Sequence, residues 1–143
     1  MNNRVILDAS ALLALIQEET GAEIIKPLLK FSVMSVVNVT ETLSVLQRTN
    51  ITPEEGLALI ADIVTTIVPF DLEQAEQVAK LHPLVQPQGL SLADRVCVAL
   101  GIKLQIPIYT ADRIWGELQL DNANIKLIRE LLTIKKRIFH PIV

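Results

Sequence analysis

The chain has a single cysteine, Cys97, in 143 residues. No disulfide can form within it. Two histidines are too few for a structural zinc site. Aromatic residues make up only 3% of the sequence. That scarcity argues against a base-stacking platform for single-stranded nucleic acid. Basic residues are not in excess, and the formal net charge is −3. That counts against a broad cationic surface for nucleic acid. It does not count against an enzyme whose carboxylates hold cations. Long hydrophobic runs are also missing, although 50% of the residues are apolar. The longest tight run, Ala11 to Ile16, falls far short of the roughly 18–20 residues that span a bilayer. Near the start, Val5-Ile6-Leu7 is cut short by Asp8, and no small-residue cleavage site follows. These absences point to a soluble, cytoplasmic protein with a large aliphatic core and no membrane partner.

What is present is a rhythm of short aliphatic strands and amphipathic helices. No repeat, low-complexity stretch or linker interrupts it, so residues 1–143 read as one domain. Val5–Leu7 reads as a first strand, followed by helices over Ala11–Gln17 and Ala22–Leu29. Phe31–Val37 reads as a second strand, and Asn38 as the opening of a helix to about Arg48. Thr52-Pro53-Glu54-Glu55 combines a cap, a first-turn proline and a capping-box glutamate. A third strand lies within Val64–Phe70, and Asp71 caps a helix to about Lys80. Pro83–Gly89 reads as a loop, and Ser91 opens a helix to about Leu104. Ile106–Tyr109 is a short strand, Ala111–Leu118 a short helix and Ile125–Arg129 a last strand. Aliphatic strands alternating with helices predict an α/β fold with a mainly parallel central sheet and helices on both sides.

In such sheets, sites form beyond the carboxyl ends of the strands. Asp8 directly follows the first strand, and Asp112 follows the Ile106–Tyr109 strand. Glu41 falls in the first turn of the helix after the second strand, and Asp94 in the first turn of the Ser91 helix. If these four converge, their like charges raise one another's pKa unless something neutralises them. Hard divalent cations such as Mg²⁺ or Mn²⁺ take oxygen ligands and suit that role. Such a site favours phosphodiester hydrolysis. Helix capping is the better reading of each acid when taken alone, since Asn38-x-x-Glu41 and Ser91-x-x-Asp94 both fit capping boxes at least loosely. Asp71 stands at a similar strand-to-helix junction, and spacing alone does not exclude it.

The surrounding residues narrow the choice. Val5-Ile6-Leu7-Asp8-Ala9-Ser10-Ala11-Leu12-Leu13-Ala14 resembles the opening of PIN-domain toxins of the VapC type. Asn38-Val39-Thr40-Glu41, Gly89-Leu90-Ser91-Leu92-Ala93-Asp94-Arg95 and Tyr109-Thr110-Ala111-Asp112-Arg113-Ile114-Trp115 resemble their later acidic motifs, in the family's order. The resemblance runs from about residue 4 to about residue 129. It implies a PIN-like fold in which Asp8, Glu41, Asp94 and Asp112 hold one or two Mg²⁺ or Mn²⁺ ions, and it leaves Asp71 outside the site. It implies a homodimeric endoribonuclease, restrained by a cognate antitoxin and acting on structured RNA such as tRNA. In the expected reaction a water attacks an RNA phosphate in line, leaving 5′-phosphate and 3′-hydroxyl ends.

Ser10 and Thr110 read equally as partners of the acids and as helix caps. Arg95 and Arg113 follow acids of the motifs and read as phosphate contacts or as members of surface salt bridges, with Arg4 and Arg48 weaker candidates. Cys97 and Trp115 read as core residues. Leu12, Leu13, Ile16, Ile60 and Ile63 fit either the core or an apolar partner face. The basic stretch Lys135-Lys136-Arg137 belongs to a tail, 130–143, past the last expected strand. The competing reading is a PIN-like module that binds RNA or protein without cutting it. Presence of all four acids counts against it. Phosphotransfer receivers and dehalogenase-like phosphatases need further acids near Asp8, and Ser10 stands where the latter need a second aspartate.

Overall fold

A computed structural model describes residues 2–129. The 130–143 segment, with its basic stretch, lies outside the described residues. Five short parallel strands form one sheet: β1 (Val5–Leu7), β2 (Ser32–Ser35), β3 (Thr66–Val68), β4 (Ile108–Thr110) and β5 (Ile125–Leu127), in the order β3-β2-β1-β4-β5. β1 lies at the centre, with Ile6 opposite Val33 of β2 on one side and Ile108 of β4 on the other.

Alternation along β1 sends Val5 and Leu7 to one face and Ile6 to the other. The first face packs under α1 (Ala9–Ile16), α2 (Ala22–Ile25), the inner side of α3 (Val36–Gln47) and α4 (Pro53–Ile63). The second packs under α5 (Leu72–Val85), α6 (Leu92–Leu104) and Trp115. Ile6, Leu7, Val33, Met34 and Ile108 are fully buried. Each such side chain contributes about 1.5–3 kcal/mol by leaving water. The expected α/β fold with helices on both sides is what the chain adopts.

Several boundaries differ from the sequence reading, each for a local reason. α3 begins at Val36, because the Ser35 hydroxyl accepts from the Val37 N–H at 3.2 Å and caps it early. Asn38 is thus inside the helix rather than its opener, and Glu41 falls in the second turn rather than the first. Helix α2 stops at Ile25 and tightens into a 3₁₀ stretch, Lys26–Phe31, with Pro27 in its first turn. Helix α5 runs past Lys80 and through Pro83 to Val85, because Leu81 and Val85 are buried against the core. The expected 83–89 loop shrinks to a 3₁₀ turn, Gln86–Gln88, closed by Gly89 in left-handed conformation. The fourth strand starts at Ile108 rather than Ile106, since Pro107 has no N–H for a ladder. The Ala111–Leu118 helix is a 3₁₀ turn over Arg113–Glu117. β5 ends at Leu127, not Arg129. Thr52 and Glu55 form the capping box expected of them.

Leu12, Leu13 and Ile60 are buried and Ile16 and Ile63 partly so, all within the core. No described helix is long and apolar enough to cross a membrane.

Candidate functional site

The chain leaves β1 in one direction across the sheet to β2 and later returns to pair β4 on the other side. That reversal opens a crevice at the carboxyl ends of β1 and β4. An open cleft of about 310 Å³ lies there, lined by Asp8, Ala9, Ser10, Leu13, Glu41, Val45, Ser91, Asp94 and Asp112. All four acids singled out in the sequence border it. Asp71 does not; it caps α5 beside the edge strand β3.

Asp8 is the deepest of the four, 4% exposed. Its Oδ1 caps α1, accepting from the Ala11 N–H at 2.8 Å. Its Oδ2 accepts from the Thr110 hydroxyl at 2.7 Å, and the Ser10 hydroxyl lies 2.8 and 2.9 Å from the two oxygens. Ser10 is itself fixed from just beyond β4, and Thr110, the last residue of β4, by a local bond. The Ala111 N–H donates to Ser10 Oγ at 2.9 Å, and the Asp112 N–H donates to Thr110 Oγ1 at 3.0 Å. Both hydroxyls therefore join the end of β1 to the end of β4. Burial raises the Asp8 pKa from 3.8 to about 7 against the opposing effects of Thr110, Ala11 and Ser10, and the charge of Asp94 adds to the rise. Desolvation outweighs the donors together.

Asp94 sits third in α6 and forms a reciprocal capping box with Ser91, each bond 3.1 Å. Burial and the charge of Asp112 raise its pKa, with Ser91 opposing. Glu41, half-buried on α3, is raised by burial and by the charge of Asp94, while Asn38 lowers it. Asp112 is exposed and caps the 3₁₀ turn through the Ile114 N–H at 3.2 Å. Asp94 is thus the electrostatic hub, felt by Asp8 and Glu41 and itself feeling Asp112.

Asp8, Asp94 and Asp112 take part in helix capping as well as in the cluster, whereas Glu41 lies past the first turn of α3. Among the described residues, no three His, Cys, Asp or Glu side chains are arranged to hold a metal ion together. The acids are turned instead toward internal donors: Asp8 to Ser10 and Thr110, Asp94 to Ser91, Asp112 to Ile114. In donor chemistry they fit a hard cation well. Four carboxylates face one solvent-open cleft, and burial, with a smaller contribution from mutual repulsion, raises the pKa values of Asp8, Glu41 and Asp94, a cost that a divalent ion relieves.

The arginines separate. Arg95 points away from the cleft, donating to the Val78 carbonyl on α5 at 3.4 Å. Its candidacy as a phosphate contact is withdrawn, because its helix turns it toward α5. Arg113 is exposed beside Asp112. Among the described residues, neither joins an ion pair. Cys97 is fully buried, and burial with the nearby charges of Asp8, Asp94 and Glu41 pushes its thiol pKa up. Trp115 is packed in the second core. Sequence reasoning missed Asn38, which it read as a helix opener. The buried Asn38 amide donates to the Ala93 carbonyl at 3.0 Å, next to Asp94.

A five-stranded parallel sheet with four carboxylates around a cleft at its switch point defines an α/β protein built to gather negative charge at one edge. The chain belongs to the PIN domain family, which it matches over residues 5–119. A direct comparison with curated protein sequences finds no match. Among solved structures, it is similar to VapBC2 from Rickettsia felis bound to a promoter DNA fragment, with a TM-score of 0.67 and 11% identity over 86% of this chain and 97% of that one. It is also similar to PAE2754 from Pyrobaculum aerophilum, with a TM-score of 0.60 and 14% identity over 94% and 96%. VapBC-5 of Mycobacterium tuberculosis, from a family of toxin–antitoxin systems, gives 0.58 and 21% over 88% and 99%. Identities this low show a shared fold.

Proposed function

We propose that this protein is a Mg²⁺- or Mn²⁺-dependent endoribonuclease, the toxin half of a toxin–antitoxin pair, acting on cytoplasmic RNA. The observation that carries the reading is the convergence of Asp8, Glu41, Asp94 and Asp112 on one cleft, with Asp94 coupled to the other three. Likeness in fold to VapBC assemblies supports a cognate antitoxin as partner, and a homodimer is the working form proposed with it. Structured RNAs, tRNA first among them, are the substrates to test.

Asp8, Asp94 and Asp112 would hold the ion, with Glu41 completing the set. When bound, the metal neutralises phosphate charge and lowers the pKa of a water. The chain's own residues do the rest. Ser10 and Thr110 hold the Asp8 carboxylate in one orientation across the β1–β4 seam. Burial of Asp8 keeps bulk water from screening it. Glu41, half-buried with a raised pKa, would complete the ligand set directly or through a bound water. Arg113, exposed beside Asp112, supplies a cation for the RNA backbone.

The test is cleavage of tRNA and other structured RNAs with Mg²⁺ or Mn²⁺, beside EDTA and an Asp8→Asn variant. The expected result is cleavage abolished by both, with 5′-phosphate and 3′-hydroxyl product ends. A cyclic phosphate end would overturn in-line attack by water. No cleavage, with no Mn²⁺ binding by calorimetry, would replace the nuclease with a non-catalytic binding module.

A further inference from the structure

Asn38 is 1% exposed, yet its side chain is poorly satisfied. An amide carries two donor hydrogens and two acceptor lone pairs. The Asn38 amide nitrogen reaches the Ala93 carbonyl at 3.0 Å, and its Oδ1 is buried with no partner. A buried acceptor left without a partner costs free energy, so stability alone does not account for an amide here. The bond also does little for α6, because a carbonyl inside a helix already accepts from the N–H four residues on. Its placement suggests a different use. Asn38 and Glu41 are three apart on α3 and share a face. Ala93 and Asp94 are neighbours in the first turn of α6. The amide thus bridges the two helices at the level where each delivers an acid to the cleft. It also favours the charged form of Glu41.

We propose that Asn38 is a positioning residue: through its bridge to Ala93 it sets the spacing between Glu41 and Asp94, and so the cleft's affinity for a divalent ion. This rests on the metal-dependent reading above. It adds a residue that touches neither ion nor RNA and acts through two that line the cleft. A partner that only orients ligands typically changes metal affinity by about 10–100-fold when removed.

The experiment is a double-mutant cycle read by calorimetry of Mn²⁺ binding to the full chain, with thermal melts alongside. Asn38→Ala is expected to weaken Mn²⁺ binding about tenfold while melting close to the parent. In a Glu41→Gln background the same change is expected to have a much smaller effect, because the residue it acts through is gone. Asn38→Ser, which keeps a hydroxyl donor, is expected to recover part of the affinity, and it replaces Asn38→Ala if that variant does not fold. Unchanged affinity in Asn38→Ala, or an equal loss with and without Glu41, would overturn the positioning role. A parent protein that binds no Mn²⁺ would overturn the metal-dependent reading and this role with it. A parent that binds, with Asn38→Ala unaffected, removes only the latter.

Discussion

Asp8 shows how two opposing effects are weighed at a single carboxyl group. Hydrogen bonds from Ala11, Thr110 and Ser10 each favour its charge, yet burial wins and the pKa settles at about 7. An ion must then displace a proton, so metal affinity falls as pH drops through that value. Thr110→Val removes the shortest of the three bonds. One hydrogen bond to a charged group is worth about 1.5–3 kcal/mol, so the midpoint of the affinity–pH curve should rise by about one unit or more. Calorimetric Mn²⁺ titrations across neutral pH test this, and an unmoved midpoint would show that Thr110 does not stabilise the charge. The four acids were legible in the sequence because each sits in a short local motif. Ser10 and Thr110 were legible as partners of the acids, but that Thr110 serves Asp8, 102 residues away, was not, because the pairing of β1 with β4 decides it. Asn38 was misread for a related reason: Ser35 took the cap, and only the approach of α6 gave the amide its partner.

Helix α6 carries Asp94 and packs its middle against β4. Gly101 lies where an added Cβ would run into the Ile108 side chain. Helix propensity favours Gly101→Ala by up to about 1 kcal/mol. Overpacking costs about 1–3 kcal/mol, and Ile108 is fully buried and cannot swing aside. Packing should win, and a melt is expected to show Gly101→Ala several degrees below the parent. A variant as stable as the parent would mean that the α6–β4 seam yields. Element types were read correctly from apolar patterning in most of the chain. Most errors lie at ends, where one hydroxyl or proline decides, but the Ala111–Leu118 helix is a 3₁₀ turn and the Ala22–Leu29 helix is half 3₁₀. Ser35 moved the start of α3 by two residues, and Pro107 delayed β4. The run through Pro83 shows the reverse, with buried Leu81 and Val85 outweighing a missing N–H.

For the molecule as a whole, the acidic cleft makes stability depend on pH. Asp8 has a folded pKa of about 7 against 3.8, so between those values the folded state binds more protons than the unfolded. Stability therefore falls as pH rises through that window, by at most about 4 kcal/mol from this group. The raised pKa values of Glu41 and Asp94 act in the same direction. EDTA-treated protein is expected to melt lower at about pH 8 than at about pH 5.5, with Asp8→Asn removing most of the difference. Added Mn²⁺ should raise the melting temperature at the higher pH by binding the folded state. A melting temperature that rises between those two pH values would show that Asp8 is ionised at little cost.

The central place of β1 also sets a timetable. The strand that starts the chain meets β2 early in synthesis, but β4 and the Thr110 hydroxyl come 102 residues after Asp8. At about 5–20 residues per second, a ribosome needs about 5–20 seconds to cover that interval. For an enzyme proposed to cut RNA, the delay keeps the cleft unassembled until the segment carrying Thr110 and Asp112 has been made.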